Sequence, residues 1–150
     1  MSESIHSEDA VMLVPGLVAS GRSPDGAALI GSSCRNCHTV VFPRMAVCPA
    51  CRKADTMQIV EIGKTAKLYS FTIARAASIG FKAPYFQAYV DLPEGPRIFT
   101  LVSESVPVEP DALREGMYLE LVIEPVRTDA AGRPVLTYKY RPRENGKRVP

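Results

Sequence analysis

No apolar run in the sequence approaches the ~18 uninterrupted residues that a membrane-spanning helix requires. Residues 1–9 are polar and acidic, where a secretory leader would be basic and then apolar. The protein is therefore expected in the cytoplasm. An excess of either charge is missing as well: 18 Lys and Arg stand against 16 Asp and Glu, a formal balance of +2. Four of those cations fall in the last ten residues beside one anion, so the rest of the chain has no basic surplus. Nucleic-acid binders usually present a basic face. Here the one basic run is the tail.

Catalytic equipment is equally sparse. There are two histidines, His6 in the polar N-terminus and His38 beside a cysteine, and neither is placed to serve a serine or cysteine nucleophile. No glycine-rich phosphate loop follows a strand. The carboxylates are scattered through turns and strand faces, where solvated surface is the ordinary reading. Thirteen prolines and ten glycines interrupt the 150 residues too often for long helices. At 46% hydrophobic and 23% charged, the chain is globular in composition, the size of one ordinary domain or two very small ones. The class expected is mostly β, built of short strands, with a function that works through binding.

What the sequence concentrates is cysteine. All four lie in the pattern Cys34-x-x-Cys37 and Cys48-x-x-Cys51. Two intervening residues let a tight turn aim two sulfurs at one point, and two such turns face to face make a tetrahedral thiolate cage suited to zinc. The set Cys34, Cys37, Cys48 and Cys51 is thus the expected ligand set for one structural zinc. Binding it as thiolates would bring the formal charge of the chain to neutral. A closed four-cysteine site keeps no open position for substrate, so the metal is expected to hold the fold. Three rivals weigh less. Disulfides do not persist in a reducing compartment. Iron suits the same four sulfurs. Cys34-Arg-Asn-Cys37-His38 spells a haem-attachment motif, but that reading leaves Cys48 and Cys51 without a role.

Beyond the cysteines, strand signals run through residues 64–73, 85–92, 97–102, 118–124 and 135–140. Phe86, Ala88, Val90 and Leu92 share one face of the second, and Leu119, Leu121 and Ile123 alternate inward against Glu120, Val122 and Glu124 in the fourth. Residues 110–114, ending at Gly116, read as one short helix. Five strands with a helix between the third and fourth is the order of an OB-fold barrel. The expected architecture is therefore mostly β, with an extended N-terminal arm over 1–31, a four-cysteine zinc ribbon over 32–55, a five-stranded OB-fold barrel over 56–141 and a basic tail over 142–150. The Pro/Gly-rich arm has too little patterning to pack alone.

Several local motifs recur in one order along residues 34–142: Cys34-x-x-Cys37, Phe42-Pro43-Arg44, Cys48-Pro49-x-Cys51, Gly63-Lys64, Tyr69-Ser70-Phe71-Thr72, Ala83-Pro84-Tyr85, Leu113-x-x-Gly116 and Tyr138-Lys139-Tyr140-Arg141-Pro142. Together they resemble a family of small zinc-ribbon and OB-fold proteins associated with acyl-CoA enzymes. Within it the chain looks most similar to small subunits of thiolases acting on 2-benzoylsuccinyl-CoA in anaerobic toluene breakdown. It departs from the family in two places: His38 and Arg52 stand where glycine usually follows each cysteine turn, and a Pro/Gly-rich arm replaces the usual helical N-terminal segment.

The resemblance implies a non-catalytic, zinc-binding subunit of a hetero-oligomeric acyltransferase complex. The nucleophile and base would belong to a thiolase-like partner, with a CoA ester at the interface. The loop after the first barrel strand is where OB-folds commonly bind ligands. On it, Arg75 and Lys82 are candidates for CoA phosphates and Phe81 for an apolar acyl group, against the equally weighted reading of a solvated hairpin with one buried aromatic. Arg44 is a candidate for a partner carboxylate. The rival class is a nucleic-acid-binding module, for which Tyr69, Phe71, Tyr85 and Tyr89 would supply stacking faces but few neighbouring cations.

Overall fold

Residues 10–19, 27–76 and 82–143 are described by the computed structural model of the chain. Period-two patterning builds most of it, as strands β1 (Val11–Met12), β2 (Leu29–Cys34), β3 (Val40–Val41), β4 (Met57–Ile62), β5 (Thr65–Ala74), β6 (Tyr85–Asp91), β7 (Arg97–Val102), β8 (Tyr118–Thr128) and β9 (Pro134–Pro142). Strands β5, β6, β7, β9 and β8 pair in that spatial order, and β8 returns to β5, so the sheet closes on itself. Neighbours run antiparallel except β7 and β9, which meet in parallel through Leu101–Lys139 and Val102–Tyr140. This is the expected OB-fold barrel. Closure leaves the five strands without a free edge around the ring.

Phe86, Ala88, Val90 and Leu92 all point into the core as the alternation requires. Strand β5 changes phase along its length. Leu68 pairs with Val90 and Ser70 with Tyr89, so Tyr69 is the extra residue of a β-bulge. Beyond it Phe71 and Ile73 face inward, opposite Ala88 and Phe86. In β8, Leu119 and Leu121 are buried in the core as expected, while Val122 on the opposite face is buried too.

The expected helix does not form: no helix occurs among the described residues. Residues 110–116 instead make successive turns, with the Ala112 amide donating to the Glu109 carbonyl at 3.1 Å and the Met117 amide to Arg114 at 3.2 Å. A single turn fixes several dihedrals for one hydrogen bond, and this segment is too short to propagate further. Its anchor is Leu113, buried in the core.

The second sheet, in the order β3-β2-β4, is the ribbon. Strand β4 pairs with β2 along its whole length, from Leu29–Ile62 to Cys34–Met57. Residues 29–31 and 57–62 therefore lie in the ribbon sheet, although the divisions drawn from the sequence put the former in the arm and the latter in the barrel. Leu29 and Ile62 extend from this sheet into the barrel core. Gly63 joins the two parts with φ 73°. Its amide donates to Glu94 Oε1 at 3.0 Å, and its carbonyl accepts from the buried Tyr140 hydroxyl at 2.6 Å.

The described part of the arm is laid on the chain's own sheets. Strand β1 pairs in parallel with β9 at Val135 and Leu136, the Leu13 amide adds a bond to the Leu136 carbonyl, and Val18 bridges to Leu29. It occupies the stretch of β9 that β7 has already left. Among the described residues no helix is long and apolar enough to cross a membrane.

Candidate functional site

The four cysteines sit on two copies of one local design. In the first turn the Cys34 amide donates to Thr39, the His38 amide donates back to Cys34, and the Cys37 amide points at Cys34 Sγ from 3.5 Å. In the second, Cys48 donates to Lys53, Arg52 to Cys48, and the Cys51 amide lies 3.5 Å from Cys48 Sγ. Each turn closes on a residue in the left-handed region, His38 at φ 65° and Arg52 at φ 63°. Glycine would adopt that conformation without a steric penalty. The two departures from the family pattern therefore leave the turn geometry in place, at the cost of local strain.

The sulfurs converge. All four Sγ atoms lie within 4.8 Å of one another, with Cys34 and Cys51 3.7 Å apart and Cys37 and Cys48 3.5 Å apart. A zinc tetrathiolate with bonds of about 2.3 Å has sulfur–sulfur edges of about 3.8 Å, so the donor set fits zinc. These separations are far longer than the ~2.05 Å of a disulfide, and all four cysteines are free. Cys34 and Cys48 are buried, Cys51 is half-buried and Cys37 is exposed.

The surroundings favour thiolate at one end of the cage. A hydrogen bond with the Thr56 hydroxyl, 3.2 Å away, and the Cys37 amide bring Cys34 down to about 6. The side chain and backbone of Thr39 hold Cys37 below its ordinary value. Cys48 is pushed up: the Cys51 amide pulls it down, but burial and the neighbouring sulfurs of Cys37 and Cys51 outweigh that pull. A metal ion would draw the cage into the charged state as a unit, because zinc binds thiolate and releases the protons.

The substrate candidates separate. Lys82 is exposed on the rim of a cleft of about 580 Å³ whose wall includes Pro84, Tyr85, Phe86, Val102 and Val126. Arg75 is exposed at the end of β5 and is not among the residues that line the cleft. Phe81 lies outside the described residues. Two cations that the sequence reading did not single out also line the cleft, Arg127 on the rim and Lys139 beneath it. A second bulge, at Val126, sets the direction of Arg127. The Lys139 side chain is only 4% exposed; its Nζ donates to the Pro125 carbonyl at 3.0 Å and lies 3.8 Å from Glu124. Glu124 in turn accepts from Ser103 Oγ at 2.5 Å and from the Glu104 amide at 3.2 Å. Glu124 and Lys139 stand at outward positions of alternating strands, where charged residues are ordinary; Lys139 falls within the closing Tyr138–Pro142 motif, which gives no sign of its pairing with Glu124.

The aromatic candidates also divide. Tyr69 and Tyr89 are exposed on the outer face, Tyr89 edge-on to Phe99 at 5.9 Å, whereas Phe71 turns inward against Phe86. Among the described residues the cation stacked there is Arg97, 3.3 Å over Tyr69, and it is held by Asp91 at 2.6 Å.

Comparison with known proteins matches both parts. Residues 28–57 fit the family model described as "ChsH2, rubredoxin-like zinc ribbon domain", and residues 59–124 fit "ChsH2, C-terminal OB-fold domain". The chain is 34% identical over 123 residues to "Benzoylsuccinyl-CoA thiolase subunit BbsA" of Thauera aromatica, covering 82% of this chain and 80% of that one. It is 33% identical over 120 residues to a "DUF35 domain-containing scaffold protein" of Methanocaldococcus jannaschii, covering 78% and 83%. Among solved structures it resembles "Ltp2-ChsH2(DUF35) aldolase", with a TM-score of 0.61 and 28% identity over 77% of this chain and 84% of that one.

Proposed function

The chain belongs to the ChsH2 family of zinc-ribbon and OB-fold proteins, and from that premise we propose that it is a non-catalytic subunit of a thiolase-like acyl-CoA complex. The observation that carries this reading is the match to a thiolase subunit that takes in ribbon and barrel together. The cage supports it. Its four sulfurs are the whole cysteine content of the chain, so a zinc held there would engage every thiol. One zinc would supply four bonds that hold the ribbon, and the nucleophile and base of thiolysis would come from the partner.

In this reading the cleft beside Lys82 faces the CoA ester. Lys82 and Arg127 at its rim meet phosphate, with Arg75 on the same hairpin and the Pro84–Phe86 wall toward the acyl chain. A 3-oxoacyl-CoA of the 2-benzoylsuccinyl type is the substrate suggested by the relatives that carry a thiolase name. The nucleic-acid reading has less support, because the cation beside the exposed aromatics is already paired with Asp91.

The test is isolation of the tagged chain from its source cells. We expect a thiolase-like protein in fixed ratio, and CoA-dependent cleavage of a 3-oxoacyl-CoA by the pair but not by this chain alone. Recovery of nucleic acid, of no partner at stringent salt, or turnover by the isolated chain would overturn the proposal.

A further inference from the structure

Between the two cysteine turns, residues 43–47 form an exposed loop with an unusual surface. Met45 and Val47 are each 47% exposed, and Ile59 on β4 is 64% exposed. Ser32 pairs with Ile59 across β2 and β4, so their side chains share one face of the ribbon. On that face the buried Ser32 hydroxyl holds the loop twice, accepting from the Met45 amide at 2.9 Å and donating to the Met45 carbonyl at 3.3 Å. Val47 is pinned by a bridge to Ala54. The apolar side chains are thus presented on fixed backbone, which lowers the ordering cost of binding.

The charges around them are unspent. Arg35 donates to the Asp55 carbonyl and Lys53 to Asn36, but Arg44 and Arg52 have no side-chain hydrogen bond or ion pair among the described residues. Asp55 is the one acid in residues 27–57, against four Lys and Arg.

We infer that this loop, Arg44-Met45-Ala46-Val47 with Arg52 and Ile59 beside it, is the docking surface for the catalytic partner, and that the partner offers an apolar recess rimmed by carboxylates. The inference rests on the accessory-subunit reading above. Aliphatic side chains flanked by arginine match the buried centre and charged rim of a protein interface. A phosphate backbone would leave the three aliphatic groups unmatched, and a second copy of this chain would set like charges against each other.

The test uses the two purified full-length chains and isothermal titration calorimetry. Met45→Asp with Val47→Asp, and separately Arg44→Glu with Arg52→Glu, should each weaken the complex at least tenfold. The penalty of the charge reversal should shrink as salt rises. All variants should keep the wild-type zinc content and melting temperature, since the substituted side chains face solvent. Tyr89→Ser, on the barrel's outer face, should bind as wild type. Wild-type affinity in both loop variants overturns this surface while leaving the subunit reading intact. A wild-type chain that binds no acyl-CoA enzyme overturns both. Polynucleotide retention that depends on Arg44 and Arg52 also overturns the inference.

Discussion

Tyr140 and Gly63 make a two-residue joint whose energetics can be tested by a mutant cycle. The Tyr140 ring is fully buried, and its hydroxyl meets the Gly63 carbonyl at 2.6 Å. Burial pushes the phenol well above its usual pKa range, so it stays a neutral donor at all working pH values. Tyr140→Phe keeps the packing and strands that carbonyl, which should cost about 1–3 kcal/mol. At 150 residues each kcal/mol lowers Tm by about 2–4 °C. Gly63→Ala should cost more. A left-handed φ is unfavourable by about 1–2 kcal/mol for a residue with a Cβ, and that Cβ would stand 2.7 Å from the Tyr140 hydroxyl and 2.9 Å from Leu29 Cδ1. In the double variant the hydroxyl is gone, so the first clash disappears while the second contact and the φ penalty remain. The double variant should therefore lose less than the sum of the singles, by about 0.5–3 kcal/mol. Urea unfolding of the zinc-loaded protein, read by tyrosine fluorescence and far-UV circular dichroism, gives all four corners. Strict additivity, or a Tyr140→Phe cost below about 0.5 kcal/mol, would refute the joint.

Four other outcomes follow from the same geometry. Metal analysis should find one zinc per chain and a colourless protein; the absorption bands of ferric tetrathiolate would replace zinc with iron. Cys48→Ser should lose the metal and lower Tm, and the loss should include barrel signals because Leu29 and Ile62 belong to the barrel core. Asp129 accepts from the Arg133 and Ala131 amides and pairs with the Arg133 guanidinium, and these bonds, the Arg133 amide first, hold its carboxyl below 3.8. Its contribution to the β8–β9 turn is therefore present above that value and lost on further acidification, which amide shifts at 131–133 would follow; Asp129→Asn should flatten that titration. Lys82→Glu should raise the KM of the assembled complex for its CoA ester by about tenfold, roughly the effect of one charged contact, with Tm unchanged.

Much of this architecture could be read in the residues. The paired C-x-x-C turns fix four sulfurs by spacing alone, and Phe86, Ala88, Val90 and Leu92 mark an inward face that any barrel must bury. The bulges escaped because Tyr69 and Val126 are ordinary strand residues whose types announce no extra position. The N-terminal pairing escaped because Val11–Met12 is too short to show a period. Residues 57–62 fall on the barrel side of a boundary at 56 because β5 follows them directly; their hydrogen-bonded neighbour, β2, lies on the far side of the cysteines. The short helix expected over 110–114 rests on a few residues whose real constraint is one buried leucine. The Lys139–Glu124 pair is visible only once the folded chain buries that face.

The joint at Gly63 also bears on what the metal does. A ribbon of about 30 residues cannot bury a core sufficient for its own stability, and zinc sites of this kind can supply most of the folding free energy of such a unit. Here the ribbon returns part of that stability to the barrel. Leu29 and Ile62 are strand residues of the ribbon sheet, yet both are fully buried in the barrel core, and Tyr140 ties β9 to the Gly63 carbonyl just beyond Ile62. Strand β2 alone runs from Leu29, a core residue, to Cys34, whose sulfur lies in the four-cysteine cage, with Ser32 between them holding the exposed loop. The cysteine cage, the barrel core and the presented loop are therefore linked through one six-residue strand. Chelation should loosen all three together, so a partner that docks on the loop should bind the zinc-loaded chain and release the zinc-free one.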